Sequence, residues 1–434
     1  MLLPRKHQIT NLPTKRFYLL ILALFVFNLL LSLLLPITAD EAYYYLWSQH
    51  LDLSYFDHPP MVAYMIAFSR MLFGDGALGI RFFPLILSAL VPLLWLTIFH
   101  RDHDETFYMA LWAVPVLQVA LFFMTPDVPF FFFSSLFILH YLRKREPDFT
   151  GGILLGLSLL SKYMAVLLFP SLIVFAYPKN RLKFCLYYVA LPFIIFLPVI
   201  WFNASHDFVS FKYQLFHGSG GFVVRTGYFV KYIVDVIVAG GVPLSIAGIL
   251  GLNRLLSDNK KFLFALGLTF FLFFAFFSFF SRQEANWPLL FYPVLLYSGY
   301  MFTKSRKSGM YIMLLYFILS LPFKPFLLVP PLKERIFRKE IVMRDIAYRL
   351  KSVDLPIFAN TYQHASLLSY YLKRFVPSLN IKSRPNQFDL WKVKLPEDRF
   401  VFVAIGYPDV MSRFVVDSTL FVMDNISVYL VRLK

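Results

Sequence analysis

Two acids close the first long apolar run of the chain, Asp40 and Glu41, immediately after Pro36-Ile37-Thr38-Ala39. A carboxylate at the edge of an apolar run is costly unless it has a partner or a task. A second lone acid, Asp127, stands in Met124-Thr125-Pro126-Asp127-Val128-Pro129 between two apolar runs. Asp127 either caps the following helix, since Asp is a good N-cap, or faces Asp40 across a cavity. Two carboxylates so placed suit general-base chemistry and the support of a developing positive charge. Tyr43, Tyr44, Tyr45 and Trp47 follow the first acids, and Asp57-His58-Pro59-Pro60 follows these. The prolines restrict the backbone and hold Asp57 and His58 in a fixed turn.

Cations and amides of unusual placement complete the set. Lys162, in Ser161-Lys162-Tyr163, breaks an otherwise apolar stretch. It either snorkels to an interface or binds an anion such as phosphate. The stretch 201–227 scatters His206, Asp207, Lys212, Gln214, His217 and Arg225 among aromatics, with a glycine-rich turn at Gly218–Gly221. Ser281–Pro288 packs Arg282, Gln283, Glu284, Asn286 and Trp287 into eight residues. Asp57, His58 and His206 are metal-ligand candidates, with Asp207 and His217 near them in type. None has a helical ligand spacing such as His-Glu-x-x-His, so a divalent metal ion is a weak expectation.

These residues must be positioned by a chain that is 59% hydrophobic and only 15% charged over 434 residues, with a mean hydropathy of +0.63. Soluble domains hold about 45–50% apolar and about 25% charged residues. Apolar runs fall at about 17–36, 82–99, 107–124, 128–142, 149–161, 163–177, 184–202, 228–252, 262–280, 287–303 and 309–329. A run of roughly 20 residues spans a bilayer. The reading is an α-helical polytopic membrane protein with about 11 transmembrane helices. A soluble enzyme, a disulfide scaffold and a disordered chain are excluded. The single Cys185 forms no internal disulfide and no cysteine-based metal cluster.

Lys and Arg orient the array. Segments 1–16, 100–106, 143–148, 178–183, 253–261 and 304–308 together hold 17 of them. The intervening loops hold Arg70, Arg81, Lys162, Lys212, Arg225 and Arg282. Basic loops stay cytoplasmic, so the N-terminus is expected inside, behind a retained signal anchor. The odd number of runs then places the C-terminus outside. The net charge of +17 thus reflects membrane orientation rather than nucleic acid binding. All the unusual acids, histidines and aromatics fall on the outer side, beginning with the long first outer loop, 37–80. Within it, 41–50 and 60–73 read as short helices lying on the membrane surface. Residues 1–329 read as the membrane domain. Residues 330–434 read as a small α/β domain outside it, with a helix over 334–351 and strands at Phe400–Ile405 and Ser427–Arg432.

The order of these motifs resembles the bacterial family 39-type glycosyltransferases, relatives of the dolichyl-phosphate-mannose protein mannosyltransferases and of the enzymes that add aminoarabinose or galacturonic acid to lipid A. The resemblance rests on the acid pair ending the first run, then YFDHPP, TPD, LLSKY, HDFVSFKYQ and EANWP. Tyr362–Ala365 and Arg384–Trp391 add to it. It implies a GT-C fold, a polyprenyl-phosphate sugar as donor and transfer on the outer face. It implies Asp40 as catalytic base and Asp127 as the second functional carboxylate. The substrate-binding set is then Glu41, Tyr44, Asp57, His58, Lys162, His206, Arg225, Arg282, Glu284 and Asn286. The lipid A aminoarabinose relatives carry Glu-Lys where this chain has Asp57-His58, so Lys162 and Arg282 inherit the role of phosphate cations. No Gly-rich nucleotide loop is evident, and a lipid-linked donor needs none.

Four readings compete, one of them an inactive structural subunit in which Asp40 and Asp127 are replaceable by Asn with no loss. The favoured one is transfer of a single sugar, with inversion, to lipid A, lipopolysaccharide or another glycolipid at the outer face of a bacterial inner membrane. A protein Ser/Thr acceptor, as in protein O-mannosylation, is the alternative within the class. A lipid-linked sugar transporter or flippase is the alternative outside it. Transporters place polar groups at the bilayer midplane within repeated halves. Here the acids cluster at the outer rim and no repeat is visible, although Asp235 within 228–252 suits a transporter better.

Overall fold

The computed structural model describes residues 14–219, 223–257, 260–381, 383–405 and 414–433. The side chain of His217, with Gly220 and Gly221, lies outside the described residues. Helix α1 (Lys15–Leu34) is capped by Thr14, whose side chain accepts from the Phe17 amide. It leaves Leu19, Leu22, Leu30, Leu33 and Leu34 more than half exposed, as a helix against lipid tails requires. After α2 (Ala39–Gln49) and α3 (Met61–Phe73), α4 (Ala77–Ile98) runs through the centre of the bundle. It packs on α1, α3 and the helix Asp127–Lys144.

Each expected apolar run contains a helix or a broken helical pair, but many are shorter than a bilayer. Among the described residues, four helices are long and apolar enough to cross a membrane: Lys15–Leu34, Ala77–Ile98, Arg181–Ser205 and Gly309–Phe326. The pair Thr226–Ala239 and Val242–Leu250 makes a fifth if it is one span bent by 106°. The bend has a local cause. Gly241 sits at φ +84, and a Cβ there would lie 2.4 Å from the Tyr316 ring. Only glycine fits both conditions. The run 107–124 divides into Glu105–Trp112 and Pro115–Ala120, because Pro115 withholds the amide that would continue the first helix. The runs 149–161 and 163–177 meet at Lys162, whose extended backbone (φ −158, ψ 137) ends one helix and starts a tight turn of 3-10 helix at Tyr163–Leu168.

The C-terminal part is a four-stranded sheet with helices. The strands are β1 (Ile357–Ala359), β2 (Phe400–Ile405), β3 (Phe414–Met423) and β4 (Ile426–Leu433), in the order β1-β2-β4-β3. β1 and β2 are parallel and the other pairs antiparallel. Phe358, Phe400, Phe402, Phe414, Tyr429 and Val431 form the core of one face. The helix expected over 334–351 is two, Pro330–Ile336 and Arg338–Arg349. β2 and β4 fall where alternation placed them, whereas β1 and β3 carried no such expectation.

One expectation changes here. α2 is a helix, but it does not lie as an amphipathic strip on a membrane surface. Nine of its eleven residues are buried. It packs beneath the helix Tyr362–Leu372, with Tyr43 on Tyr362 and Tyr45 on Tyr370 at ring separations of 4.9 and 5.2 Å. The segment 37–80 is therefore the floor on which the C-terminal sheet region rests.

Candidate active site

The junction α1–α2 fixes the first acid. Thr38 and Glu41 form a reciprocal capping box at the start of α2. Glu41 is also fully buried against Arg81 of α4, at 2.6 and 2.5 Å. Arg81 donates further to the carbonyls of Ser32, Leu35 and Pro36. The Met124 amide donates to Glu41 Oε1 at 3.2 Å. This knot ties the end of α1, the start of α2, α4 and the 124–129 turn together. It also corrects an expectation: Glu41 is a structural anchor with every oxygen engaged, not a substrate ligand. Its neighbour Asp40 is turned about 100° around the helix and opens into a cavity.

That cavity has a volume of ≈ 460 Å³. Asp40, Tyr44, Asp57, His58, Asp127, Lys162 and Asn286 all line it. Arg384, Tyr213, Gln214 and Gln283 join them, with Phe273, Phe274, Phe277, Trp287, Met164, Val166 and Leu167 as apolar wall. The two carboxylates foreseen to face one cavity, Asp40 and Asp127, do so.

The charged groups pair off. Lys162 Nζ donates to Asp127 Oδ1 at 2.5 Å, and Asn286 Nδ2 donates to Asp127 Oδ2 at 2.7 Å. The break in the helix at Lys162 is what turns this side chain inward rather than along a membrane face. Asp57 accepts from Tyr43 OH at 2.7 Å and from the guanidinium of Arg384. The turn carrying it is held by Gln214 Nε2 on the Asp57 carbonyl, by Gln387 Oε1 on the Phe56 amide and by Tyr55 stacked on Trp47 at 4.2 Å. Arg384 comes from the C-terminal domain and lies between the rings of Tyr213 and Tyr362, each 5.0 Å from its carbon centre.

Two shifted groups define the electrostatics. Asp40 has its carboxyl pKa raised above the ordinary 3.8. Its recessed position is the main cause; Lys339 and Arg384 oppose the rise, and Asp57 and Glu340 add to it. A carboxylate that touches cavity solvent yet sits deep among protein atoms is a better base than an exposed one. His58 is driven the other way, well below the imidazole range, by burial first and then by Lys162 and Arg384. It is neutral, and its Nδ1 has no partner among the described residues. The walls therefore carry three carboxylates, Asp40, Asp57 and Asp127, against the cations Lys162 and Arg384.

Several expected ligands lie elsewhere. Arg282 and Glu284 pair with each other at 3.2 Å on the surface, 63% and 49% exposed. Arg225 is exposed and donates to Tyr228 OH at 3.1 Å. His206 stacks on Phe202 at 4.3 Å, with Nδ1 2.9 Å from the Phe202 carbonyl. None of these four lines the cavity. Asp57, His58 and His206 are thus not brought together as metal ligands. Among the described residues no group of three His, Cys, Asp or Glu side chains is arranged to hold a metal ion.

Reasoning on the sequence missed Arg384 as a cavity residue, along with Tyr213 and the anchoring role of Arg81. Arg384 stood only inside a motif. It lies 327 residues from the Asp57 it pairs with, and no local pattern encodes that approach.

Comparison with known proteins bears on the fold. Residues 57–202 match the family model for dolichyl-phosphate-mannose-protein mannosyltransferase. The chain is 26% identical over 274 residues to the lipid A galacturonosyltransferase RgtD of Rhizobium johnstonii, covering 58% of each protein. It is 28% identical over 160 residues to an uncharacterized protein of Aquifex aeolicus, 33% of this chain and 32% of that one. The chain thus spans well under two thirds of each of these relatives. The crystal structure of ArnT from Cupriavidus metallidurans bound to undecaprenyl phosphate superposes with a TM-score of 0.66 at 14% identity, over 96% of this chain and 98% of that one. Its apo form gives 0.64. The family resemblance read from the sequence is borne out, and the fold is the GT-C fold with a small C-terminal sheet domain.

Proposed function

We propose that this GT-C-fold membrane protein is a glycosyltransferase that moves one sugar from a polyprenyl-phosphate donor to a hydroxyl or phosphate of a glycolipid, with lipid A as the favoured acceptor. One observation carries the reading. A single cavity presents a recessed carboxylate of raised pKa, two cations and an apolar wall, which is the set a lipid-phosphate sugar needs. Support also comes from what the similar proteins are named for: one is a lipid A galacturonosyltransferase and another is bound to undecaprenyl phosphate.

The wall of Phe273, Phe274, Phe277 and Trp287 adjoins the Lys162–Asp127–Asn286 cluster, because Trp287 follows Asn286 and contacts Phe274 at 5.6 Å. An isoprenoid tail along that wall brings its phosphate to Lys162. The anomeric carbon then projects toward Asp40. An acceptor oxygen attacks that carbon, the carbon–oxygen bond to the phosphate breaks, and the polyprenyl phosphate leaves with the electron pair. Asp40 takes the proton of a hydroxyl acceptor late in the step, when positive charge on the sugar has made that proton acidic. Such base help contributes about 10²–10⁴-fold. Lys162 neutralises the departing phosphate. Asp127, itself held by Asn286, keeps Lys162 in the cavity wall where the donor phosphate arrives. One displacement inverts the anomeric centre. The cavity faces the outer side of the bacterial inner membrane, with the N-terminus cytoplasmic and residues 330–434 forming the outer domain.

The test is transfer by the purified chain in a bilayer mimic from synthetic polyprenyl-phosphate sugars to lipid A. Product of inverted configuration is expected. No product from any such donor, or product of retained configuration, contradicts the reading. A secreted-protein acceptor glycosylated in place of lipid A moves the acceptor to protein and leaves the donor chemistry standing.

A further inference from the structure

We infer that Arg384 is a specificity residue that reads a second oxyanion, separate from the donor phosphate: a carboxylate on the transferred sugar or a phosphate on the acceptor. The inference rests on the glycosyl-transfer reading above.

The cavity holds its two cations on chemically different walls. Lys162 belongs to the apolar wall and is 5% exposed. Arg384 belongs to the wall built by the C-terminal domain, among Tyr213, Tyr362 and Asp57. A lipid-linked phosphate follows its tail, so Lys162 takes it. Arg384 is then left facing the sugar or the acceptor's headgroup.

Arg384 is prepared for an oxyanion rather than merely buried with one. Its side chain keeps 35% of its surface open, against 3% for Asp57. Asp57 is engaged by Tyr43 OH and fixed to its own turn, so it acts as the anchor that aims the guanidinium. The flanking Tyr213 and Tyr362 rings hold the guanidinium plane, and a planar guanidinium binds carboxylate or phosphate through two parallel hydrogen bonds. The backbone on which it rides is itself clamped, by Gln387 N donating to Tyr43 OH at 2.7 Å and by the Asn386–Asp389 capping box.

The experiment measures kcat/KM of the purified full chain with two donors on the same polyprenyl phosphate, a uronic acid and the matching neutral hexose. Each is run against a phosphorylated and a dephosphorylated lipid A acceptor. Arg384→Gln, Arg384→Lys and the double variant Arg384→Gln/Asp57→Asn, which leaves no unpaired acid, are compared with the wild type. A charge-assisted pair is worth about 10–150-fold. The expected result is a loss of at least about 10-fold on the uronic acid donor and little on the hexose donor, with Arg384→Lys recovering part of it. A loss that instead follows the acceptor phosphate assigns the oxyanion to the acceptor and also supports the inference. An equal loss on all four combinations, in the single and double variants alike, overturns it. If the wild type transfers neither sugar to either acceptor, the parent reading fails, and this one with it.

Discussion

Lys162 and Asp127 meet at 2.5 Å in the cavity wall, 92–93% buried as side chains and 35 residues apart. The pair is shared between two purposes, since the cation that would meet a donor phosphate is held by an acid that also needs it. Removing one member strands the other without a counter-charge. Lys162→Met is expected to lower stability by about 3–5 kcal/mol, and Lys162→Met/Asp127→Leu to recover most of that loss. Both are expected to lack transfer. Thermal unfolding in detergent, with a transfer assay on the folded fraction, checks this. A double variant no more stable than the single one contradicts the pairing.

Glu41 and Arg81 behave differently although they are also buried. They tie α1, α2 and α4 together, and neither lines the cavity that Asp40 opens into. Arg81→Met is expected to destabilise by about 3–5 kcal/mol, while molecules that remain folded transfer at close to the wild-type rate. A folded Arg81→Met protein with abolished turnover would place this pair in the chemistry.

Arg225 and Arg282 stand outside the cavity on the surface. Arg225→Ala and Arg282→Ala are each expected to change stability by no more than about 0.5 kcal/mol, and to leave KM for the donor near its wild-type value. A large rise in KM for either would return that arginine to the phosphate site.

The pH profile tests Asp40 as base. Its pKa is raised, and only the ionised form accepts a proton. Turnover should therefore fall as pH drops through a value above the ordinary 3.8 of Asp. Lys339 lowers the Asp40 pKa, so Lys339→Met should shift this acidic limb to still higher pH. A shift to lower pH, or no limb at all, contradicts the assignment. His58→Gln should leave the limb in place, because His58 is already neutral.

The helical membrane class and the convergence of Asp40, Asp127, Lys162 and Asn286 on one cavity were legible in the sequence. Each is a polar residue at a place where polarity is costly, and cost marks purpose. The same argument failed at Glu41, Arg225 and Arg282. Cost alone does not separate an acid that opens to the cavity from one neutralised by Arg81, and Asp40 and Glu41 are adjacent in sequence yet about 100° apart around one helix turn. Arg225 and Arg282 broke the inside-positive trend as Lys162 did, but their helices end at the surface while the break at Lys162 turns inward. Arg384 was beyond reach because its place depends on how the sheet domain docks over α2. The full helix breaks were likewise set by packing, as with Gly241 against Tyr316.

The most direct test is a mass analysis of lipids from cells lacking the gene, complemented with wild type or with Asp40→Asn. Asp40 opens to the cavity and, among the described residues, holds no structural bond of the kind that engages Glu41, so the variant should fold. A hexose- or uronic-acid-sized addition to lipid A is expected with wild type, and its absence in both the deletion and Asp40→Asn. Full restoration by Asp40→Asn would contradict the central claim that this carboxylate is the base.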